Sequence, residues 1–395
     1  MAGDSRPRKL WVVLSALSAL VLATAGIAVA DDLGPPTDEE AAAAVSLLDE
    51  YVRNRPTTTV TVTRSPQGTP TPTDTPTATG RRWYSGVGAD MSNPVGQDGS
   101  FGTWRGEPIT MGGGWDDTLD AQTGQWSTSD GAWKKWSGPY DIAVGAIYKE
   151  EGQSWSAAAS GTYNSRWTTA LKALKKAWGD RGPENLYIRF AHEMNGSWSD
   201  WNVKSGEEKN FRAALTQFSS LRYQVFGEDN APALVLCAND GTSSGYADPR
   251  SLFVAKDDQG RPVVDLYSVD TYNSWPHRTD KAAIVKALSK TEDGVPVGVE
   301  AHRKYAESVG VPFSVGEWGN CGLDTDKCDG GGGESPAYME AMNEWFRAHA
   351  GDPEHPEPGQ LVYELYFNLW DQYELHPDTG QPTSAKAYRN LVWGQ

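Results

Sequence analysis

Alternation of apolar and polar positions divides the chain into a weakly patterned start and a strongly patterned remainder. Eight short apolar runs have the length and period of strands: Tyr84–Asp90, Pro108–Gly112, Asp141–Tyr148, Leu186–Glu193, Ala233–Asn239, Leu266–Tyr272, Pro312–Glu317 and Val362–Trp370. Between several of them, apolar residues recur every three or four positions, which predicts amphipathic helices over Trp167–Trp178, Glu207–Phe226, Val299–Val309 and Ala337–Ala348. Strands alternating with helices pair in parallel, and eight such units in about 250 to 300 residues have the size of a TIM barrel. The expected fold class is therefore α/β, a single (β/α)8 TIM barrel. An open doubly wound sheet is the rival, but no glycine-rich phosphate loop follows the first strand.

The first eighty residues read differently. Arg6, Arg8 and Lys9 precede an uncharged run, Leu10–Ala30, that ends in the small-residue pattern Ala28-Val29-Ala30 of a signal-peptidase site. The run is also long enough to cross a bilayer, so a cleaved signal peptide and a retained membrane anchor are the two readings of residues 1–30. Both put the rest of the chain outside the cytoplasm, either secreted or held on the outer face of the cytoplasmic membrane. Residues 31–80 predict a disordered linker, since Pro56–Gly80 is mostly Thr and Pro and offers little to bury. Within it, Asp38–Arg55 could form a short helix to which no function is assigned. The barrel is expected over 81–395.

A net charge of -17 excludes nucleic acid and anionic membrane surfaces as partners, because binding to phosphates is driven by Lys and Arg. The only membrane contact foreseen is through the N-terminal segment. Seventeen Trp and sixteen Tyr fit a surface that stacks on neutral ligands. The expected partner is a polysaccharide substrate, bound by a monomer without cofactors. Cys321 and Cys328 lie close together in a loop and, given export, predict a disulfide; Cys237, inside an apolar strand, reads as a buried free thiol. Three cysteines at this spacing do not make a zinc site, and a Cys interrupts the calcium-loop flavour of DTDKCDGGGGE, so no metal is expected.

The informative stretch is LYIRFAHEMNGSW. By alternation, Leu186, Ile188 and Phe190 face the helices, while Tyr187, Arg189, Ala191 and Glu193 face the barrel axis. Charge on the axis is costly unless paired. Arg189 and Glu193 could simply satisfy one another. A second acid weakens that reading: VPFSVGEWGN places Glu317 on the face of Phe313 and Val315, at the C-terminal end of the seventh strand. Barrel chemistry sits at that end, built from residues that end different strands. Two carboxylates there can divide labour, one neutral and protonating a leaving oxygen, the other ionised and attacking or stabilising a sugar carbon.

The motif HEMNGSW followed by Trp201, with GEWG downstream, resembles glycoside hydrolase family 26, whose members are retaining (β/α)8-barrel enzymes acting on β-mannans, β-1,3-1,4-glucans or β-1,3-xylans. In layout the resemblance spans approximately Trp83 to Trp393, although its specific part is short. It implies that Glu193 is the acid/base and Glu317 the nucleophile. It further implies that Tyr272 holds the nucleophile, that Trp370 stacks on sugar, and that His192, Asn195, Trp198 and Trp318 contact substrate, with Arg189 in support. The chain departs from the mannan-cutting pattern at Ser199 and Asp200 and by having no histidine between Trp83 and Ala191. The expected activity is that of a retaining endo-β-glycosidase, with transglycosylation or non-catalytic carbohydrate binding as alternatives.

Weaker expectations concern single residues. Asp90 and Trp115 follow early strands and read as a turn cap and a packed aromatic rather than as cleft residues. Asp270 faces inward, as does Glu364 with Tyr366, Asn368 and Trp370, and one of these two acids should neutralise Arg189. Asn239 and Asp240 are turn or ligand residues, and His277 reads as a solvated loop histidine.

Overall fold

The computed structural model describes residues 83–88, 99–123, 136–323, 328, 332–377 and 379–389. The N-terminal segment, the linker with its short helix, Asp90, Trp393 and much of the acidic loop between Cys321 and Glu334 lie outside the described residues.

Eight parallel strands close into a barrel: β1 (Tyr84–Gly88), β2 (Met111–Asp116), β3 (Tyr140–Val144), β4 (Leu186–Phe190), β5 (Ala233–Asn239), β6 (Leu266–Asn273), β7 (Phe313–Asn320) and β8 (Leu361–Phe367). Neighbours in sequence are neighbours in the ring, and β8 meets β1 in a register running from Tyr84↔Tyr363 to Gly88↔Phe367. Closure leaves these strands without an edge.

Nine helices are described: α1 (Ser100–Arg105), α2 (Leu119–Thr123), α3 (Trp155–Ala159), α4 (Asn164–Trp178), α5 (Glu208–Phe226), α6 (Lys281–Leu288), α7 (Val299–Val309), α8 (Pro336–His349) and α9 (Pro382–Ala387). The four with clear periodicity in sequence are α4, α5, α7 and α8. The other five are too short to show it. On α4 the buried positions Trp167, Ala170, Leu171, Leu174 and Trp178 form one stripe. Trp167 meets Phe190 of β4 edge-on at 5.6 Å and Phe218 of α5 at 5.7 Å. Each such fully buried large side chain contributes about 1.5 to 3 kcal/mol.

Two apolar layers result. Leu186, Ile188, Phe190, Leu234, Leu236, Val269, Phe313 and Val315 pack outward under the helices. Met111, Tyr187, Val235, Cys237, Tyr363 and Leu365 cluster together from alternating positions and fill the barrel. The interior is tight: a Cβ on Gly113 would lie 2.4 Å from Leu365 Cδ1, which explains the glycine run that obscured β2 in sequence and displaced it from the expected Pro108–Gly112. β3 stops at Val144 rather than Tyr148, and β8 at Phe367 rather than Trp370.

The inward face of β8 is the opposite of the one expected. Tyr363 and Leu365 fill the barrel, whereas Tyr366 packs under the helices. Glu364 accepts a 2.6 Å hydrogen bond from the Trp318 indole in that outer layer. Asn368 and Trp370, grouped with Glu364 and Tyr366 in the sequence, stand beyond the end of the strand, where alternation no longer holds.

Candidate active site

β4 ends at Phe190, and the next turn is built on two left-handed residues, Ala191 (φ 53°) and Glu193 (φ 52°). Residues with side chains occupy that region at a cost, which concentrates at functional sites. The turn breaks the alternation, so Ala191 packs in the outer cluster instead of facing the axis. Hydrogen bonds hold the geometry: the Ala191 amide donates to Val144 O and the Glu193 amide to Cys237 O, both at 2.9 Å. Asn195 is fully buried and clasps the end of β5, donating to Asn239 O at 2.9 Å and accepting from the Asn239 amide at 2.8 Å. It does not line the cleft, so its place is structural, contrary to the expected substrate contact.

Glu317 reaches the same place by another irregularity. Val269 pairs with Val315, but Asp270 pairs with Glu317, so Gly316 is an extra residue in β7. Such a bulge reverses the parity of every residue beyond it in the strand. Phe313 and Val315 face the helices, as Glu317 would in an unbroken strand, yet Glu317 points to the axis. Trp318 is correspondingly turned out and fully buried, with Tyr366 at 5.0 Å and Phe346 at 5.2 Å. It is not a cleft residue.

Arg189 organises the charges beneath the site. It is sealed from solvent and donates from Nε to Asp141 Oδ1 at 2.6 Å, and from Nη1 to Asp270 Oδ2 at 3.2 Å and to Glu317 Oε1 at 2.8 Å. Asp270 is thus a partner, as expected, and Glu364 is not. Asp141, also bonded by the Tyr363 hydroxyl, is an unforeseen second partner. One cation faces three acids; burial, and then repulsion from Glu317, pushes Asp270 well above the usual carboxylate range. The Cys237 thiol donates to it at 3.1 Å.

The two glutamates are driven apart in protonation. Glu193 is raised to about 7, by burial first and then by the charge of Glu317, and the bonds from Asn239 Nδ2 (2.7 Å) and Trp198 Nε1 (2.6 Å) only partly oppose this. Burial would raise Glu317 too, but the Arg189 charge and the hydrogen bonds of Tyr272 and Arg189 outweigh it, and its pKa falls below the ordinary value. Tyr272 donates to Glu317 Oε2 at 2.7 Å, and the Trp115 indole donates to Oε1 at 2.7 Å. At neutral pH one carboxyl is largely charged and the other is poised to give or take a proton.

Both open into a cleft of about 550 Å³ at the C-terminal end of the strands. Of the expected substrate residues, His192, Trp198, Tyr272 and Trp370 line it. Trp370 is 65% exposed beyond the end of β8, itself left-handed at φ 55°. His192 is lowered to about 4 by burial, hence neutral, with Nε2 3.8 Å from Asp117 Oδ2. Trp115 belongs to the cleft rather than to packing alone. Asp117, Phe367 and Tyr373 also line it and were missed; Asp117 and Tyr373 follow strands, where periodicity carries no information, and Phe367 shares the inward parity of Tyr363 and Leu365, which the expectation had given to the other face. Asp141 was within reach, being an acid in an apolar strand like Arg189. His277 bonds Gly333 O at 3.1 Å in its loop. Cys321 and Cys328 form a disulfide with Cα atoms 6.1 Å apart, and Cys237 is free and buried. Among the described residues, no helix is long and apolar enough to cross a membrane.

No protein-family model and no curated protein matches the chain. Among solved structures, it is similar to a GH5-4 broad-specificity endoglucanase from an uncultured bacterium, with a TM-score of 0.52 and 13% identity over 79% of this chain and 95% of that one. That likeness is one of barrel fold. A modular endo-β-1,4-mannanase of glycoside hydrolase family 26 from Cellulomonas fimi aligns with a TM-score of 0.48 and 13% identity, covering 79% of this chain and 70% of that one. A Bacillus subtilis mannanase, BCman, aligns at 0.47 and 12%, covering 77% and 84%.

Proposed function

We propose that the protein is a retaining endo-β-glycosidase that hydrolyses a neutral β-linked polysaccharide of the mannan or glucan type outside the cytoplasm. The observation that carries this reading is the pairing in one cleft of Glu193, raised to about 7, with Glu317, held ionised beneath Arg189 and Tyr272. A cleft that only bound sugar would gain nothing from keeping two carboxyls in opposite states. The motifs around both acids, similar to those of family 26, support double displacement over inversion.

In the first step the ionised Glu317 attacks the anomeric carbon while Glu193 gives its proton to the departing glycosidic oxygen. The leaving chain departs as an alcohol, and a covalent glycosyl ester with Glu317 remains. Glu193, now a carboxylate, takes a proton from an incoming water, whose oxygen displaces Glu317 with net retention. Tyr272, Trp115 and Arg189 donate to the nucleophile, holding its lone pairs in line and stabilising its charge when it leaves. Trp370 offers an aromatic face to the sugar ring.

The Cys321–Cys328 disulfide favours an oxidising compartment, consistent with the export pattern of residues 1–30 and a linker before the barrel. Purified barrel domain is to be screened on β-mannan, mixed-linkage glucan, xylan and bacterial wall polysaccharides, with proton NMR of the first product. Cleavage giving initial β-anomer is expected; initial α-anomer, or inactivity on all four, overturns the reading.

A further inference from the structure

Among the described residues, three large aromatic side chains stand out into solvent: Trp198, Trp275 and Trp370. They lie on the loops that leave β4, β6 and β8, all at the catalytic end. Trp198 and Trp370 line the cleft, but Trp275, 69% exposed, lies outside it. A single exposed apolar residue needs no special explanation. What distinguishes Trp275 is the rigidity of the loop beneath it.

Asn273 clamps that loop from both sides, donating to Arg278 O at 2.8 Å and accepting from the Arg278 amide at 2.9 Å. It also donates to Asn320 Oδ1 at 2.7 Å, at the end of β7. Asn320 and His277 both bond Gly333 O, at 2.9 and 3.1 Å, and Ser335 Oγ donates to Arg278 O at 2.8 Å. The loop carrying Trp275 is thereby tied to both flanks of the segment that the Cys321–Cys328 disulfide closes. A loop held this way presents the indole from a fixed backbone, which lowers the entropic cost of stacking.

The ring order supplies the direction. β2, which brings Trp115 into the cleft, and β6 stand opposite one another around the barrel, with β4 and β8 as the other opposed pair. A polymer entering over β2 and passing between Trp198 and Trp370 leaves over the β6 loop. We propose that Trp275 is a distal sugar-binding platform, stacking on the face of a pyranose ring of the same β-linked polysaccharide beyond the catalytic cleft. The proposal rests on the glycosidase reading and extends it to a substrate longer than the cleft.

The test compares wild type, Trp275→Ala and Trp275→Phe on two substrates. One is soluble β-mannan or mixed-linkage β-glucan, whichever the wild type cleaves; the other is a single-sugar aryl glycoside too short to reach the β6 loop. Trp275→Ala should lose about tenfold in kcat/KM on the polymer through KM, with kcat kept, and stay within about twofold on the aryl glycoside. Trp275→Phe should recover most of the loss. Wild-type kinetics of Trp275→Ala on the polymer would overturn the platform while leaving the glycosidase intact. An equal loss on both substrates would also overturn it, as a disturbance of fold or chemistry. A wild type inactive on both polymers but active on xylan or wall polysaccharide overturns the mannan-or-glucan substrate and the platform argued on it, and inactivity on all four removes the glycosidase reading as well.

Discussion

Nη1 of Arg189 lies 2.8 Å from Oε1 of Glu317, in a site where the guanidinium is wholly buried and the carboxylate nearly so. The same guanidinium holds Asp141 and Asp270. Replacing it by an apolar side chain leaves three acids facing one another. Arg189→Met is therefore expected to cost about 3 to 5 kcal/mol, the range for breaking a buried ion pair from one side. Chemical denaturation measures that loss. In the folded fraction, the acidic limb of the kcat/KM profile should move to higher pH, because Glu317 has lost its counter-charge; an unmoved limb would contradict the role given to Arg189.

The two glutamates should fail differently. Glu193→Ala is expected to lose most activity on polysaccharide yet still open an aryl glycoside whose leaving group needs no proton, with azide restoring turnover at retained configuration. Glu317→Ala should fail on both substrates, and any azide-rescued product should be inverted. Retention of more than about a hundredth of wild-type turnover by Glu317→Ala would exclude it as nucleophile.

The proposed mechanism requires Glu193 protonated and Glu317 ionised. The kcat/KM profile should therefore be a bell whose alkaline limb falls near pH 7, where Glu193 titrates, and whose acidic limb lies below the ordinary glutamate value. Titration of Glu193→Gln on an activated aryl glycoside should show the alkaline limb gone.

The same raised pKa has a consequence for stability. Because Glu193 titrates higher in the folded protein than in the unfolded chain, its carboxyl costs increasing stability as pH rises from about 4.5 through 7. Glu193→Gln removes the charge. It should match wild type near pH 4 and exceed it by about 1 to 3 kcal/mol at pH 8. Equal melting temperatures of the two proteins at pH 8 would refute this.

Loss of the Cys321–Cys328 bond should cost at most about 2 to 3 kcal/mol, since the loop it closes is short. Mass spectrometry of secreted protein is expected to find the pair oxidised, and the double Ser variant should melt lower by that amount while keeping its fold by circular dichroism.

Much of this architecture was legible from pattern alone. Buried parallel strands such as β5 and long amphipathic helices such as α7 coincide with the apolar runs that predicted them. Glu193 and Glu317 were found because charge at the end of an apolar strand is conspicuous. Their placement was not legible in the way it was argued. Strict alternation puts Glu317 among the helices; the Gly316 bulge reverses this, and the one local sign of it, a glycine inside an apolar strand, went unread. The left-handed turn at Ala191 and Glu193 was equally hidden, because neither residue favours that conformation. Trp318 was misplaced by the same shift. Asp117 and Tyr373 stand on loops, whose path is set by tertiary contacts rather than by period.

Were Gly316 to take a regular place in the ladder instead of bulging, alternation would run unbroken through β7 and exchange the directions of Glu317 and Trp318. The barrel would then carry a carboxylate into its helix-facing layer and an indole into its charged centre, two insults from the loss of one irregularity. A one-position slip in the pairing of β7 is thus closed to drift. A designer transplanting this strand sequence into another eight-stranded barrel would have to copy the irregular pairing with β6, because a regular strand with the same sequence would aim Glu317 at the wrong side of the sheet.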